Sequence, residues 1–115
     1  MMRDLVLTGS TGFIGSHLKS AAENRGFRLF EITRSQVLSS LEDEINHNND
    51  PTVIATALKT ARNPVFINLA SLFLSTHTPK NITSLIRSNI EFSTLVFEAA
   101  SIVESSGLLH FGTSW

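Results

Sequence analysis

The chain has no cysteine, no tyrosine and a single tryptophan in 115 residues. Without cysteine there is neither a disulfide framework nor a thiolate metal site. His17, His47, His77 and His110 stand at least 30 residues apart, so no pair has the short spacing of metal ligands, and no metal is expected. An excess of one charge is also missing: 9 Lys and Arg face 10 Asp and Glu, for a net charge of -1. No stretch gathers enough cations to grip a phosphate backbone, which argues against a nucleic-acid partner. Long hydrophobic runs are absent too. The longest uncharged apolar stretch, residues 65–74, is broken by Asn68 and Ser71 and falls well short of the ~20 residues of a spanning helix, so no membrane partner is expected. The N-terminus meets Asp4 and then Gly9 before a signal-peptide core can develop. A cytoplasmic, reducing location is the expectation.

What is present is a globular composition, 42% hydrophobic and 17% charged with 6 Gly and 3 Pro, of a length that suits one domain. Residues 4–8 form an apolar run that stops at glycine, as a strand buried on both faces would. After Gly12, the apolar residues Phe13, Ile14, Leu18, Ala21 and Ala22 recur at helical spacing. Asn24-Arg25-Gly26 then supplies a stop. Residues 27–33 read as a second strand. Residues 35–41 could open a helix, and a weak or irregular third strand is placed within 44–48. Asp50 caps a helix opened by Pro51, with Val53, Ile54, Ala57, Leu58 and Ala61 as its buried stripe.

Residues 65–70 give another buried strand, and 71–79 read as loop. A long helix is predicted over residues 81–105, ended by Gly107, and a fifth strand over 108–111. Alternating strands and helices predict an α/β fold with an open, doubly wound parallel sheet of about five strands. A last strand this apolar needs a following helix to cover it. The expectation is therefore an incomplete domain, the first part of a longer protein.

Between the first strand and helix lies Thr8-Gly9-Ser10-Thr11-Gly12-Phe13-Ile14-Gly15, a Gly-x-x-Gly-x-x-Gly turn. A pyrophosphate can sit on a helix N-terminus only where free N–H groups point outward and no side chain blocks the approach. Gly9 would permit the sharp turn, Gly12 the close approach, and Gly15 the packing of helix on strand. A tight strand-to-helix turn without a ligand is the plainer alternative. A nucleoside-triphosphate loop is excluded, because the turn ends in Gly-Ser-His and lacks the Lys-Ser/Thr pair.

This stretch resembles the TGxxGxxG motif of the extended short-chain dehydrogenases/reductases, the NAD(P)-dependent epimerase/dehydratase family. The resemblance covers nearly the whole chain. Asn68-Leu69-Ala70-Ser71 is similar to the family's segment along the cofactor, and Asn89 with Thr94, Leu95, Glu98, Ala99 and Ala100 to its long helix. Gly112-Thr113-Ser114 is similar to the strand end carrying an active-site hydroxyl. The resemblance implies that residues 1–115 are the N-terminal portion of a Rossmann-like dinucleotide-binding domain. It implies a cofactor site of Gly9, Ser10, Thr11, Gly12, Phe13, Ile14, Gly15, Leu69, Ala70, Ser71 and Asn89. It also implies a nucleotide-sugar substrate, with epimerisation, dehydration and keto reduction open, and a homodimer at full length.

At the end of the second strand, NAD-dependent members hold the adenosine ribose with an acid. Here Thr33-Arg34-Ser35 offers a guanidinium and hydroxyls, which suit a 2′-phosphate. NADP is favoured and NAD is the alternative. Glu31, two residues earlier, is the nearest acid. In the family a Tyr and a Lys four residues on perform proton transfer, helped by a hydroxyl. The resemblance puts Ser114 in that last role, with Thr113 as runner-up. With no tyrosine, the chain cannot supply the Tyr-x-x-x-Lys pair and should be inert alone. A non-catalytic, NADP-binding regulator or assembly protein is the other reading.

Overall fold

The apolar run after Asp4 becomes β1 (Leu5–Thr8), and the chain passes from it through the glycine turn into α1 (Phe13–Asn24). The computed structural model describes residues 3–39, 43–70 and 78–111. Helix α1 stops where the sequence says it should. Gly26 takes φ +80, so that its N–H reaches Glu23 O at 3.0 Å and the Phe27 N–H reaches Ala22 O at 3.0 Å, satisfying carbonyls the helix leaves open.

Strand β2 (Leu29–Ile32) lies parallel to β1, with Leu5 opposite Leu29 and Thr8 opposite Ile32. The chain then reverses. The Thr33 N–H donates to Gln36 O at 2.8 Å, and the Gln36 N–H donates to Thr33 Oγ1 at 2.9 Å, leaving Arg34 and Ser35 as a two-residue tip. Strand β3 (Gln36–Ser39) therefore runs back antiparallel to β2, where the sequence pointed to the start of a helix. The correction has a physical cause: Val37 is buried opposite Ile32, and pairing with β2 outweighs the weak helical pattern of residues 35–41. The weak strand expected within 44–48 is β4 (Ile45–Asn46), again antiparallel.

Helix α2 (Pro51–Ala57) opens on Asp50, whose side chain accepts from the Thr52 N–H at 2.9 Å. Strand β5 (Val65–Asn68) pairs parallel with β1 on the side away from β2. The predicted long helix is composite. A 3-10 turn (Pro79–Asn81) leads into α3 (Ile82–Ile86), a π-helical turn (Arg87–Glu91) and α4 (Phe92–Ile102). It ends at Ile102, and Gly107 opens β6 (Gly107–His110), parallel to β5.

The described sheet has six strands in the order β4-β3-β2-β1-β5-β6. The expected parallel sheet is present as β2-β1-β5-β6, and the antiparallel pair β3 and β4 makes the whole sheet mixed. Alternate residues feed two cores, as the strand period of two requires. Val6, Phe30, Ile32 and Phe66 pack with Ile54 and Leu58 of the α2 region and with Phe92 and Val96 of α4. Leu7, Leu29 and Ile67 pack with Ala22 of α1. Helices on both faces make the fold doubly wound.

Candidate functional site

The order β2-β1-β5 places a topological switch at the C-terminal end of β1, where the chain leaves for opposite sides of the sheet, and open α/β sheets bind ligands at such a point. A cleft of about 980 Å³ opens there. One wall is the turn Gly9, Ser10, Thr11 and Gly12, and another is Ile32, Thr33 and Arg34 together with Asn49. Leu69 and Ala70, just past β5, form the floor. The composite helix closes the cleft with Ser84, Arg87, Ser88, Glu91, Phe92 and Leu95.

The glycines of the turn have three different local situations. Gly9 has φ +72, and a Cβ there would lie 2.8 Å from both Ala70 N and Leu69 C, so only glycine allows the turn to press on the end of β5. A Cβ on Gly15 would lie 1.9 Å from Gly9 O, so α1 seats directly on the turn. On Gly12, in contrast, a Cβ would meet only Gly9 O at 3.4 Å. Gly12 is the N-cap of α1 and brings no capping side chain, which leaves the space before the first N–H groups of the helix open to an anion.

Side chains hold these walls in place. Thr8 Oγ1 accepts from the N–H groups of Leu69 and Ala70, both at 3.1 Å, and donates to Asn68 Oδ1. The Asn68 amide, fully buried, donates to Ser93 Oγ at 3.1 Å and to His110 Nδ1 at 3.0 Å. The ends of β1, β5 and β6 are thereby tied to α4. Ser10 Oγ donates to Glu31 Oε1 at 2.6 Å, and Lys19 of α1 pairs with the same oxygen at 3.2 Å. Glu31 thus anchors the glycine turn and is absent from the cleft lining.

His47 is also fully buried. The Asn49 N–H donates to its Nδ1 at 3.0 Å, which leaves the proton on Nε2, and that nitrogen donates to Thr33 O at 2.9 Å. The His47 N–H bonds Ser35 O at 2.9 Å. The hairpin tip and the segment carrying Asn49 are therefore fixed together.

The cleft gathers Gly9, Ser10, Thr11 and Gly12 with Thr33 and Arg34, and with Leu69 and Ala70. Phe13 and Ile14, 81% and 63% exposed, point elsewhere, Gly15 is buried beneath the turn, and Ser35 is an exposed tip residue outside the lining. Asn89 sits in the π-helical turn but off the face that lines the cleft. Ser71, Thr113 and Ser114 lie outside the described residues. Sequence reasoning missed Asn49 and the helix positions Ser84, Arg87, Ser88 and Glu91. The helix positions had a signal, the spacing 84, 87, 88 and 91, one helical face that carries polar residues where a buried helix would be apolar.

The model of the NAD dependent epimerase/dehydratase family matches residues 5–115. The chain belongs to this family. No curated protein matches it in sequence. Among solved structures, this epimerase/dehydratase chain is similar to MoeE5 in complex with UDP-glucose and NAD, at 23% identity and a TM-score of 0.72, covering 96% of this chain and 36% of that one. It is similar to the Bordetella bronchiseptica enzyme WbmG in complex with NAD and UDP, at 21% identity and a TM-score of 0.71, covering 96% and 37%. A third similar structure is UDP-N-acetylglucosamine 4-epimerase from Bacillus cereus, at 17% identity and a TM-score of 0.67, covering 94% and 36%. At these identities the likeness is one of fold. The chain spans little more than a third of the length of each.

Proposed function

We propose that these residues form the dinucleotide-binding part of an NAD(P)-dependent oxidoreductase acting on a nucleotide-sugar, as an epimerase, dehydratase or keto reductase. One observation carries the reading: a glycine turn ending in an uncapped helix N-terminus opens into a cleft at the sheet's topological switch. The bound dinucleotide would supply hydride transfer. The chain's own residues bind and orient. The α1 N-terminus beyond Gly12 would hold the pyrophosphate, and Leu69 and Ala70 would lie along the cofactor. Arg34, at the hairpin tip beside Thr33, would take a 2′-phosphate, which supports NADP over NAD.

Ser114, with Thr113 as the alternative, is proposed as the hydroxyl that orients the reacting oxygen. A cytoplasmic location and a homodimer belong to the same proposal, and no described helix is long and apolar enough to cross a membrane. A regulator that binds the dinucleotide without turning it over is the second reading.

Calorimetric titration of the protein with NADP and NAD tests the assignment. Wild-type protein should bind NADP more tightly. Gly12→Val, which puts a branched side chain where only Gly9 O stands near, should abolish binding of both. Unchanged affinity in that variant refutes the site, and turnover of a nucleotide-sugar excludes the regulator.

A further inference from the structure

Most buried or half-buried cations of the chain already have anionic partners. Lys19 pairs with Glu31, and Arg28 and Arg62 pair with Asp4. Arg34 and Arg87 differ. Each is exposed and lines the cleft, and among the described residues neither guanidinium has a hydrogen-bond or ion-pair partner. They arrive from separate elements: Arg34 from the tip between β2 and β3, Arg87 from the first position of the π-helical turn.

Helical spacing explains how Arg87 reaches the cleft. Positions 84, 88, 91 and 95 share a face at ordinary α-helical spacing. Arg87 stands three residues after Ser84 and four before Glu91, so the same spacing puts it on that face, and it opens the π-helical turn. π-helical turns are frequent at functional sites. Glu91 is the one acid among the described lining residues. Against Arg34 alone it would leave the lining formally neutral, and with Arg87 one positive charge remains. A dianionic phosphate suits a pair of guanidiniums, whose planar forks each give two parallel N–H donors.

We propose that Arg87 is a second phosphate-binding residue of this cleft, acting with Arg34 on the 2′-phosphate of NADP. The inference rests on the reading of the cleft as a dinucleotide site. Neither the glycine turn nor the strand-end pattern implies a cation from this helix.

Titration of the protein with NADP, NAD and 2′,5′-ADP, in wild type and in Arg34→Ala, Arg87→Gln, Arg87→Lys and Lys80→Ala, tests it. Lys80 is an exposed cation in the 3-10 turn outside the lining and controls for general charge. Arg87→Gln should weaken NADP and 2′,5′-ADP by about 10- to 100-fold and NAD by less than about twofold. Arg87→Lys should fall between, since it keeps the charge and loses the fork, and Lys80→Ala should change nothing.

Equal losses for NAD and NADP would place Arg87 on the pyrophosphate and overturn the assignment. No loss for any ligand, with Arg34→Ala still selective against NADP, would remove Arg87 from the site and leave the dinucleotide reading intact. A wild-type protein that binds neither dinucleotide overturns both. Unchanged thermal unfolding of Arg87→Gln should show that the loss is not one of fold.

Discussion

At the scale of single residues, two glycines with opposite constraints separate function from stability. Gly15 has no unusual φ, yet a Cβ on it would overlap Gly9 O at 1.9 Å, so Gly15→Ala must push α1 away from the turn. The expected result is a stability loss of about 1–3 kcal/mol from overpacking, with dinucleotide affinity falling by more than tenfold as the helix N-terminus shifts. Gly26 has the reverse situation: φ +80 and nothing within 4 Å of a Cβ. Gly26→Ala should cost about 1–2 kcal/mol of left-handed strain and leave affinity unchanged. Thermal unfolding paired with titration distinguishes the two, and equal effects on binding would contradict the division. Both glycines were legible in the sequence. The anchoring of Ser10 by Glu31 was not, because nothing local to residue 31 marks which strand face meets the turn.

Elements were legible where their chemistry is local. Asp50 followed by Pro51 announces α2, and Asn24-Arg25-Gly26 announces the end of α1. The β2–β3 hairpin was missed because its tip, Arg34 and Ser35, lacks the Asn-Gly or Asp-Gly signal of a two-residue loop. Its closure uses the Thr33 hydroxyl, a bond no propensity encodes. The π-helical turn was missed for a related reason, since an uninterrupted α-helix fits the same apolar spacing.

The cap of α2 carries a pH prediction. Thr52 Oγ1 donates to Asp50 Oδ1 at 2.6 Å, and this bond, then the Thr52 N–H, holds the Asp50 carboxyl below its ordinary value against a smaller opposing effect of desolvation. A carboxyl whose folded-state value is depressed stabilises the fold above its unfolded value and loses that contribution as pH falls through the lower folded one. Asp50→Asn keeps a capping oxygen and cannot ionise. The gap in unfolding midpoint between wild type and Asp50→Asn should therefore be constant near neutrality and shift against the wild type in acid. A gap independent of pH would show that the ionised cap contributes nothing.

Across the whole molecule, the two ends of the parallel strands have separate tasks, and the last prediction tests that separation. The C-terminal ends carry the cleft. At the opposite end Asp4 is fully buried, and its Oδ2 accepts from the Arg62 backbone N–H at 2.8 Å. Its Oδ1 pairs with the Arg62 guanidinium at 3.2 Å, and Arg28 stands 3.9 Å from Oδ2. One carboxylate thus joins the start of β1 to the segment before β2 and to the segment before β5. The parallel order itself was legible, because strands buried on both faces read as unbroken apolar runs. This joint was not, since the partners of Asp4 lie 24 and 58 residues along the chain and only the fold brings Arg28 and Arg62 to it.

Asp4→Asn preserves size and one acceptor but leaves two guanidiniums facing a neutral amide. Breaking a fully buried pair costs about 3–5 kcal/mol. Arg62 is half exposed, and solvent can take up part of its charge, so the expected loss is about 2–4 kcal/mol in denaturant unfolding. Leu5 to Thr8 rises at ~3.3 Å per residue, which puts Asp4 more than about 10 Å from the glycine turn. Dinucleotide affinity of the folded variant should therefore match wild type. A matching loss of affinity would mean that the two ends are coupled through β1, and unchanged stability would mean that the exposed side of Arg62 already draws its charge balance from water.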